Sequence, residues 1–248
     1  MTNDSVRIER DFQVRFAHID GARVIYYPRY LEIVADTFPE ASMNCPPFDI
    51  VIRFMRSNRL GDTVKMVFEG NARHWSVSGG MGNPHFSIEV ESATDTSFTA
   101  NSIELASFND DERQVAGWMC GPDSRLHLSR YYELISNAIE QWFENSLGMT
   151  FHELHIAQDI GIPTVQLNTR CLRLPLAGEA VSMGIRPISV GSSSLLLNSW
   201  LICNNEVLLE TSQAIVFVRL HRSKIQKIRI PEALKQRMSS QLAARQPE

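Results

Sequence analysis

Apolar and polar positions along the chain follow two periods, a helical one and a strand one, and the same succession of periods occurs twice. The first half opens with a run at 11–16, DFQVRF, predicted as an apolar strand, followed by a turn containing Asp20. PRYLEIVADTFPEA (28–41) then carries apolar residues at helical spacing. Three alternating runs at 48–70, 85–93 and 97–108 are predicted as strands, with turns at NRLGD, GGMGNP and ATDT.

The second half repeats the plan. LHLSRYYELISNAIEQWFENSLG (126–148) is the helix, and alternating runs follow at 163–188, 193–203 and 206–220. Tyr30 corresponds to Tyr131, Gly61 and Asp62 to Gly178 and Glu179, and NSIELASF (101–108) to SQAIVFV (212–218). One helix wrapped by a strongly curved antiparallel sheet leaves an edge strand and one face exposed, and a second copy covers both. The fold class expected is therefore α+β. The junction FNDDERQVAGWMCGPDS (108–124) is polar and then turn-rich, and the boundary is expected near Ala116, giving halves 1–116 and 117–248. The basic stretch from residue 221 to the C-terminus, with Pro231 at a first helical position, reads as a surface helix and tail.

Composition narrows the functional classes. Apolar residues make up 44% and charged residues 21%, which suits a filled globular core, and the length of 248 residues allows one large or two small cores. The formal net charge of -4 argues against a nucleic-acid partner, since phosphate binding relies on excess Lys and Arg. No apolar run reaches the roughly 18 residues of a membrane span, and the N-terminus is charged where a signal peptide is greasy, so a cytoplasmic location without a membrane partner is expected. Cys45, Cys120, Cys171 and Cys203 are widely spaced, with no zinc-type pairing, and are expected to be reduced and mostly buried. His152 and His155 stand three apart, but no third ligand is in view and no metal is expected.

The stretch HIDGARVIYYPRY (18–30) carries the chemistry. Pro28 suits the first turn of a helix and pushes Tyr27 toward an extended conformation, which puts Tyr27 at the helix mouth. There its N–H has no intrahelical acceptor and shares the positive end of the helix dipole. Asp20 alone reads as a turn aspartate bonding nearby backbone N–H groups.

Together these residues resemble the hotdog fold and, within it, the 4-hydroxybenzoyl-CoA thioesterase family. The opening motif of that family is R-F-x-x-x-D-x-A-x-x-V-x-Y-P-x-Y, and Arg15, Phe16, Asp20, Ala22, Tyr27, Pro28 and Tyr30 stand at its places. The second half resembles the family along PTVQLNTRCLRLPLAGEAV, VGSSSLLLNSWL and IPEAL, so the likeness covers nearly the whole chain as a double hotdog. The resemblance implies hydrolysis of an acyl-CoA or aryl-CoA thioester, the acyl group carried on CoA or on an acyl carrier protein, without metal or bound cofactor, in a cleft between the halves. It implies Asp20 as the catalytic carboxylate and the Tyr27 backbone N–H as the donor to the thioester oxygen. Arg23, open to a substrate carboxylate, the CoA phosphates or solvent, and Tyr30 are the candidates for substrate binding.

Two features depart from the family. Arg23 stands where the family usually has glycine. The second half has no Tyr-Pro opening its helix, and Asp123 lies closer to Tyr131 than Asp20 does to Tyr30. Asp123 and His127, and Glu140 on the second helix, are reserve candidates, Glu140 because another branch of hotdog thioesterases places its carboxylate on the central helix. The alternatives are a hotdog hydratase acting on an enoyl-CoA, faintly suggested by GPDSRLHLS (121–129), and a non-catalytic acyl-CoA binder. Homo-oligomerisation is left open. Arg53, Arg56, Arg59, Arg170 and Arg173 are cations on or near the strands, none assigned to CoA.

Overall fold

The computed structural model describes residues 5–21, 23–41, 46–71, 73–93, 106–221 and 224–243. In the first half, β1 (Val6–Gln13) leads to α1 (Arg29–Thr37), and β2 (Phe48–Phe54), β3 (Thr63–Gly70), β4 (His74–Met81) and β5 (Asn83–Ser92) follow. The second half has β6 (Phe108–Asn109), β7 (Arg113–Gln114), α2 (Leu128–Leu147), β8 (Ile160–Gly161), β9 (Thr164–Cys171), β10 (Ala180–Val190), β11 (Ser194–Cys203) and β12 (Glu206–Val216). The hairpin β13 (Val218–His221) and β14 (Lys224–Lys227) and the helix α3 (Glu232–Ala243) complete it.

Most strands of both halves form one antiparallel sheet in the order β1-β3-β4-β5-β2-β9-β12-β11-β10-β6, with β7 also on β10, while β14, β13 and β8 form a separate three-stranded sheet. The second half thus mirrors the first across the β2–β9 seam, where Phe48 to Arg53 pair with Cys171 to Gln166. Neither β2 nor β9 is an open edge, and the need for a second copy is met inside one chain. On one face of the seam Arg170 grips both oxygens of Asp49, its cross-strand neighbour, at 2.9 and 3.2 Å. β6 and β7 both pair with β10 although they precede Ala116, so sheet strands of the second half begin ahead of that residue.

α1 and α2 lie against the inner face, and one buried apolar cluster runs through both halves, from Val34, Phe38 and Phe68 to Ile139, Phe143 and Leu201. At the meeting of the helices, Arg29 pairs with Glu32 (2.7 Å) and Glu133 (3.3 Å), and Arg130 with Glu133 (2.7 Å) and Glu32 (3.2 Å). This closed square of two cations and two anions is symmetric between the halves.

Several expected elements differ in detail. β1 starts at Val6 and ends at Gln13, so only the first half of DFQVRF is strand, and Phe16 sits in a 3-10 turn, 79% exposed. β4 was not expected, because Gly79, Gly80 and the serines break its apolar alternation. A side chain at Gly79 would meet the Phe86 ring at 2.5 Å and one at Gly80 the Asn83 carbonyl at 2.1 Å, so both glycines mark close approach rather than a turn. The run at 97–108 lies largely outside the described residues. The counterpart of β12 in the sheet is β5.

α3 is more than a surface helix. Leu234 and Met238 are buried, Gln241 accepts from Trp142 Nε1 at 2.8 Å, and Arg237 donates to the Leu147 carbonyl at the end of α2. Cys171 and Cys203 are buried and Cys120 is half-buried, all as free thiols. Cys45 lies outside the described residues.

Candidate active site

Each helix is entered through the same small device. Ile19 bridges Ile25, the Tyr26 N–H donates to the His18 carbonyl, and the Asp20 N–H donates to the Val24 carbonyl at 2.9 Å. In the second half Cys120 bridges Leu126, His127 donates to Met119, and Gly121 donates to Arg125. The match is residue for residue. Arg23 and Ser124, at the same place in the two turns, have φ of 62° and 61°. On this alignment Asp20 corresponds to Gly121, Asp123 to Ala22, Tyr26 to His127, Tyr27 to Leu128 and Pro28 to Ser129. The second turn therefore lacks a carboxylate at the position of Asp20.

Asp20 is exposed, and its Oδ1 accepts from the Val24 N–H at 3.3 Å. The turn-aspartate geometry is thus present. Three residues of chain, roughly 10 Å if extended, separate Val24 from Tyr27. Pro28 has φ −62° and ψ −27° and stands directly before α1, as its ring constraint predicts. Among the described residues the Tyr27 N–H has no acceptor, while the Tyr26 and Tyr27 carbonyls already receive Arg29 and Tyr30. The helix mouth therefore presents a donor beside a hairpin that carries a carboxylate.

The side chains around the mouth are shared between halves. The Tyr27 hydroxyl donates to the Tyr132 carbonyl at 3.1 Å, and burial drives its pKa well above the usual value. Tyr26 faces α2, where burial raises its pKa, the Ser136 hydrogen bond opposes this, and the charges of Glu133 and Glu140 add to it. Glu140, exposed on α2, thus belongs to the surroundings of the first helix mouth. Tyr30 is buried between Phe54 and Phe86, and its hydroxyl accepts from Asn58 Nδ2 at 3.1 Å. Asn58 in turn meets His85 Nδ1 at 2.6 Å, and burial pushes the Tyr30 pKa up to about 12. Tyr30 is placed to anchor the mouth rather than to touch a ligand.

Arg23 is exposed, and the next residue, Val24, bridges Arg59. Arg53 pairs with Glu89 at 2.6 Å and Arg173 with Glu179 at 2.7 Å, so these two cations, like Arg170, are held by carboxylates. Asp123 is exposed, accepts from the Arg125 N–H at 3.2 Å and lies 3.7 Å from the Arg125 guanidinium.

Sequence reasoning missed a group of buried polar residues. On the inner face of the second half, Thr169, Ser199, Thr211 and Gln213 are all at most 2% exposed. Strand register puts them at the places of Ile52, Val77, Ile88 and Val90 in the first half. Tyr131 and Tyr132 close a hydrogen-bonded chain through Thr211 and Thr169, with links of 2.7–2.8 Å. Ser199 Oγ and Gln213 Oε1 have no partner among the described residues. Alternation alone locates these positions but treats a buried threonine like an exposed one, so the signal was visible only by aligning the two halves.

At the mouth of α2 lies a cavity of about 180 Å³, lined by Trp118, Met119, Cys120, His127, Ser129 and Arg130 together with Glu32 from α1. His127 caps α2, its Nδ1 lying 2.9 Å from Ser129 Oγ, and Ser129 Oγ donates to Glu32 Oε1 at 3.1 Å. His152 and His155 sit at and within a π-helical turn, with the His155 ring edge-on to Phe151.

Two helix-wrapped sheets fused edge to edge in one chain define the double-hotdog fold. A Lactobacillus plantarum protein put forward as an oleoyl thioesterase superposes with TM-score 0.61 at 9% identity, over 86% of this chain and 97% of its own. A Staphylococcus aureus protein solved in complex with CoA matches with TM-score 0.50 and 12% identity over 57% of this chain and 87% of its own. A 1,4-dihydroxy-2-naphthoyl-CoA thioesterase from Synechocystis matches with TM-score 0.48 and 13% identity over 53% and 95%. No protein-family model matches the chain, and no curated protein resembles it significantly in sequence. No helix among the described residues is long and apolar enough to cross a membrane.

Proposed function

We propose that the chain is a thioester hydrolase acting on an acyl-CoA or aryl-CoA at the mouth of α1. The observation that carries this reading is the Tyr27 N–H at the helix entrance, which has no acceptor among the described residues and follows closely in sequence on the hairpin of Asp20. A thioester oxygen docked on that N–H develops its negative charge against a fixed donor and the positive end of the helix, worth roughly 3 kcal/mol of barrier in comparable sites. Asp20 gives up the Val24 N–H when substrate arrives, then attacks the carbonyl carbon or takes a proton from water. Arg23 and Arg59, on adjoining backbone at the rim, meet the CoA phosphates. The double-hotdog fold and the structural neighbours that are thioesterases support the reaction class, and the motif from Arg15 to Tyr30 supports the roles within it.

The test is release of free thiol from aryl, short, medium and long acyl-CoA esters by the wild type and by Asp20→Asn, Asp123→Asn and Glu140→Gln. Asp20→Asn lowers turnover of the preferred ester by at least about a hundredfold, and Asp123→Asn leaves it unchanged. A harmless Asp20→Asn beside an inactive Glu140→Gln moves the carboxylate to α2. Hydration of an enoyl-CoA without cleavage of any ester replaces the reaction class.

A further inference from the structure

Resting on the thioesterase reading, we propose that His85 and Asn58 are positioning residues for the reaction at the mouth of α1, acting through Tyr30 and Ile25 to hold the Tyr27 N–H where the thioester oxygen docks.

Asn58 lies in the loop between β2 and β3 and grips the segment 25–30 on both sides of Tyr27. Its backbone carbonyl accepts the Ile25 N–H at 2.9 Å, and its side-chain Nδ2 donates to the Tyr30 hydroxyl at 3.1 Å. Burial raises the Tyr30 pKa, and the side-chain and backbone N–H groups of Asn58, both donating to the phenol oxygen, oppose it. With Nδ2 committed to the phenol, Oδ1 faces the His85 ring, 2.6 Å from Nδ1. A carbonyl oxygen has no proton to give, so the ring proton at this contact is on Nδ1. His85 thereby fixes which end of the amide points at Tyr30. Its own backbone is tied down, since its carbonyl accepts the Met55 and Arg56 N–H groups at 2.7 and 3.0 Å. His85, Asn58 and Tyr30 are at most 5% exposed, so the relay is made away from water, where an unmet polar group costs roughly 1–3 kcal/mol.

The second half supplies an internal control. There the Leu126 N–H donates to the Pro175 carbonyl, and the Leu172 and Arg173 N–H groups point to the Leu208 carbonyl. Pro175 therefore stands at the place of Asn58 and Leu208 at that of His85. The backbone scaffold is the same, but the relay is gone. Tyr131, the counterpart of Tyr30, turns its hydroxyl to Thr211 instead. Packing at these two places is satisfied by a proline and a buried leucine, so the fold itself does not call for an amide and an imidazole. The relay occurs in the half whose turn carries Asp20 and is missing from the half where Gly121 takes that place.

A hydrogen-bond donor stabilises a developing oxyanion only when it is already aimed at it, and a misplacement of about 1 Å costs up to roughly a hundredfold in rate. The clamp on Ile25 and Tyr30 restrains the short stretch between them that carries the Tyr27 N–H. Loosening it weakens a contact that strengthens as charge develops on the oxygen, so the loss falls on kcat rather than on substrate binding.

The test is steady-state kinetics of the full chain on the ester the wild type prefers. His85→Leu and Asn58→Ala each lower kcat at least about tenfold with KM little changed, and combining them adds no further loss, because both act through one amide. His85→Asn, whose amide N–H stands near the place of Nδ1, recovers most of the rate. Independently of turnover, the Tyr27 amide resonance is single and sharp in the wild type and in His85→Asn, and moves or broadens in His85→Leu. Should Asn58→Ala unfold the chain, Tyr30→Phe beside His85→Leu carries the same comparison. Losses confined to KM, equal losses in His85→Leu and His85→Asn, or an unmoved Tyr27 resonance in His85→Leu overturn the proposal and leave the reaction class standing. A wild type that cleaves no thioester overturns the reading on which the proposal rests, and the Tyr27 resonance alone then decides whether the relay holds the mouth.

Discussion

At the scale of single residues, the aligned turns before the helices separate what geometry demands from what chemistry adds. Arg23 and Ser124 both occupy the left-handed region, which costs a residue with a Cβ roughly 1–2 kcal/mol and glycine nothing. The glycine that the resembling family carries at the place of Arg23 is the backbone's own preference, and an arginine kept there against strain fits a role for its charge. Arg23→Gly is expected to raise stability by up to about 1 kcal/mol in thermal denaturation, while raising the KM for CoA esters with little change in kcat. A higher melting temperature with unchanged KM would remove Arg23 from the CoA rim. Legibility in the sequence was uneven at this scale. The motif around Asp20, Tyr27 and Pro28 was readable because proline geometry and turn chemistry act locally. Ser129 and Glu32 were not, because a contact between residues 97 positions apart in sequence exists only once both helices are docked.

At the scale of elements, helical spacing and strand alternation located both central helices and most strands, since each period reports a face turned to the core. They failed at β4, where glycines serve close packing, and at α3, whose apolar face is sparse and whose hold on α2 is partly polar. Arg237 caps the carbonyl end of α2, so Arg237→Ala is expected to cost about 1–2 kcal/mol in denaturant unfolding, the scale of a charge-assisted hydrogen bond to a helix terminus. An unchanged midpoint would make α3 a passenger. The two helix mouths also carry a pH signature. His18, in the first turn, and His127, at the second mouth, both have pKa values lowered from 6.5, in each case chiefly by burial. The folded state then binds fewer protons than the unfolded chain, so their contribution is complete above about pH 6.5 and is lost as pH falls through the lower folded values. The melting midpoint should drop between pH 7 and 5, and less steeply in His127→Asn. Glu32, lowered from 4.5, contributes only in a more acidic window, which keeps the two effects apart.

At the scale of the whole molecule, two expectations about unfolding compete. Chains beyond roughly 100–150 residues commonly unfold domain by domain, and an internal repeat of 248 residues invites that outcome. Against it stand the sheet running unbroken through the β2–β9 seam, a single buried cluster spanning both halves, the Tyr27 hydroxyl seated on Tyr132, and the ionic square between α1 and α2. Peeling one half away would leave two unpaired strand edges and uncover the core of the half that stayed folded. The seam cannot open for less than a large part of the total stability, which for folded domains is only about 5–15 kcal/mol. The halves should therefore unfold together. A variant whose only tryptophan is Trp75, in β4, and another retaining only Trp142, in α2, are expected to give coincident fluorescence transitions in denaturant, matching the loss of secondary structure. Separated transitions would mean that each half carries a self-sufficient core, with the seam acting as a contact between domains rather than as the interior of one.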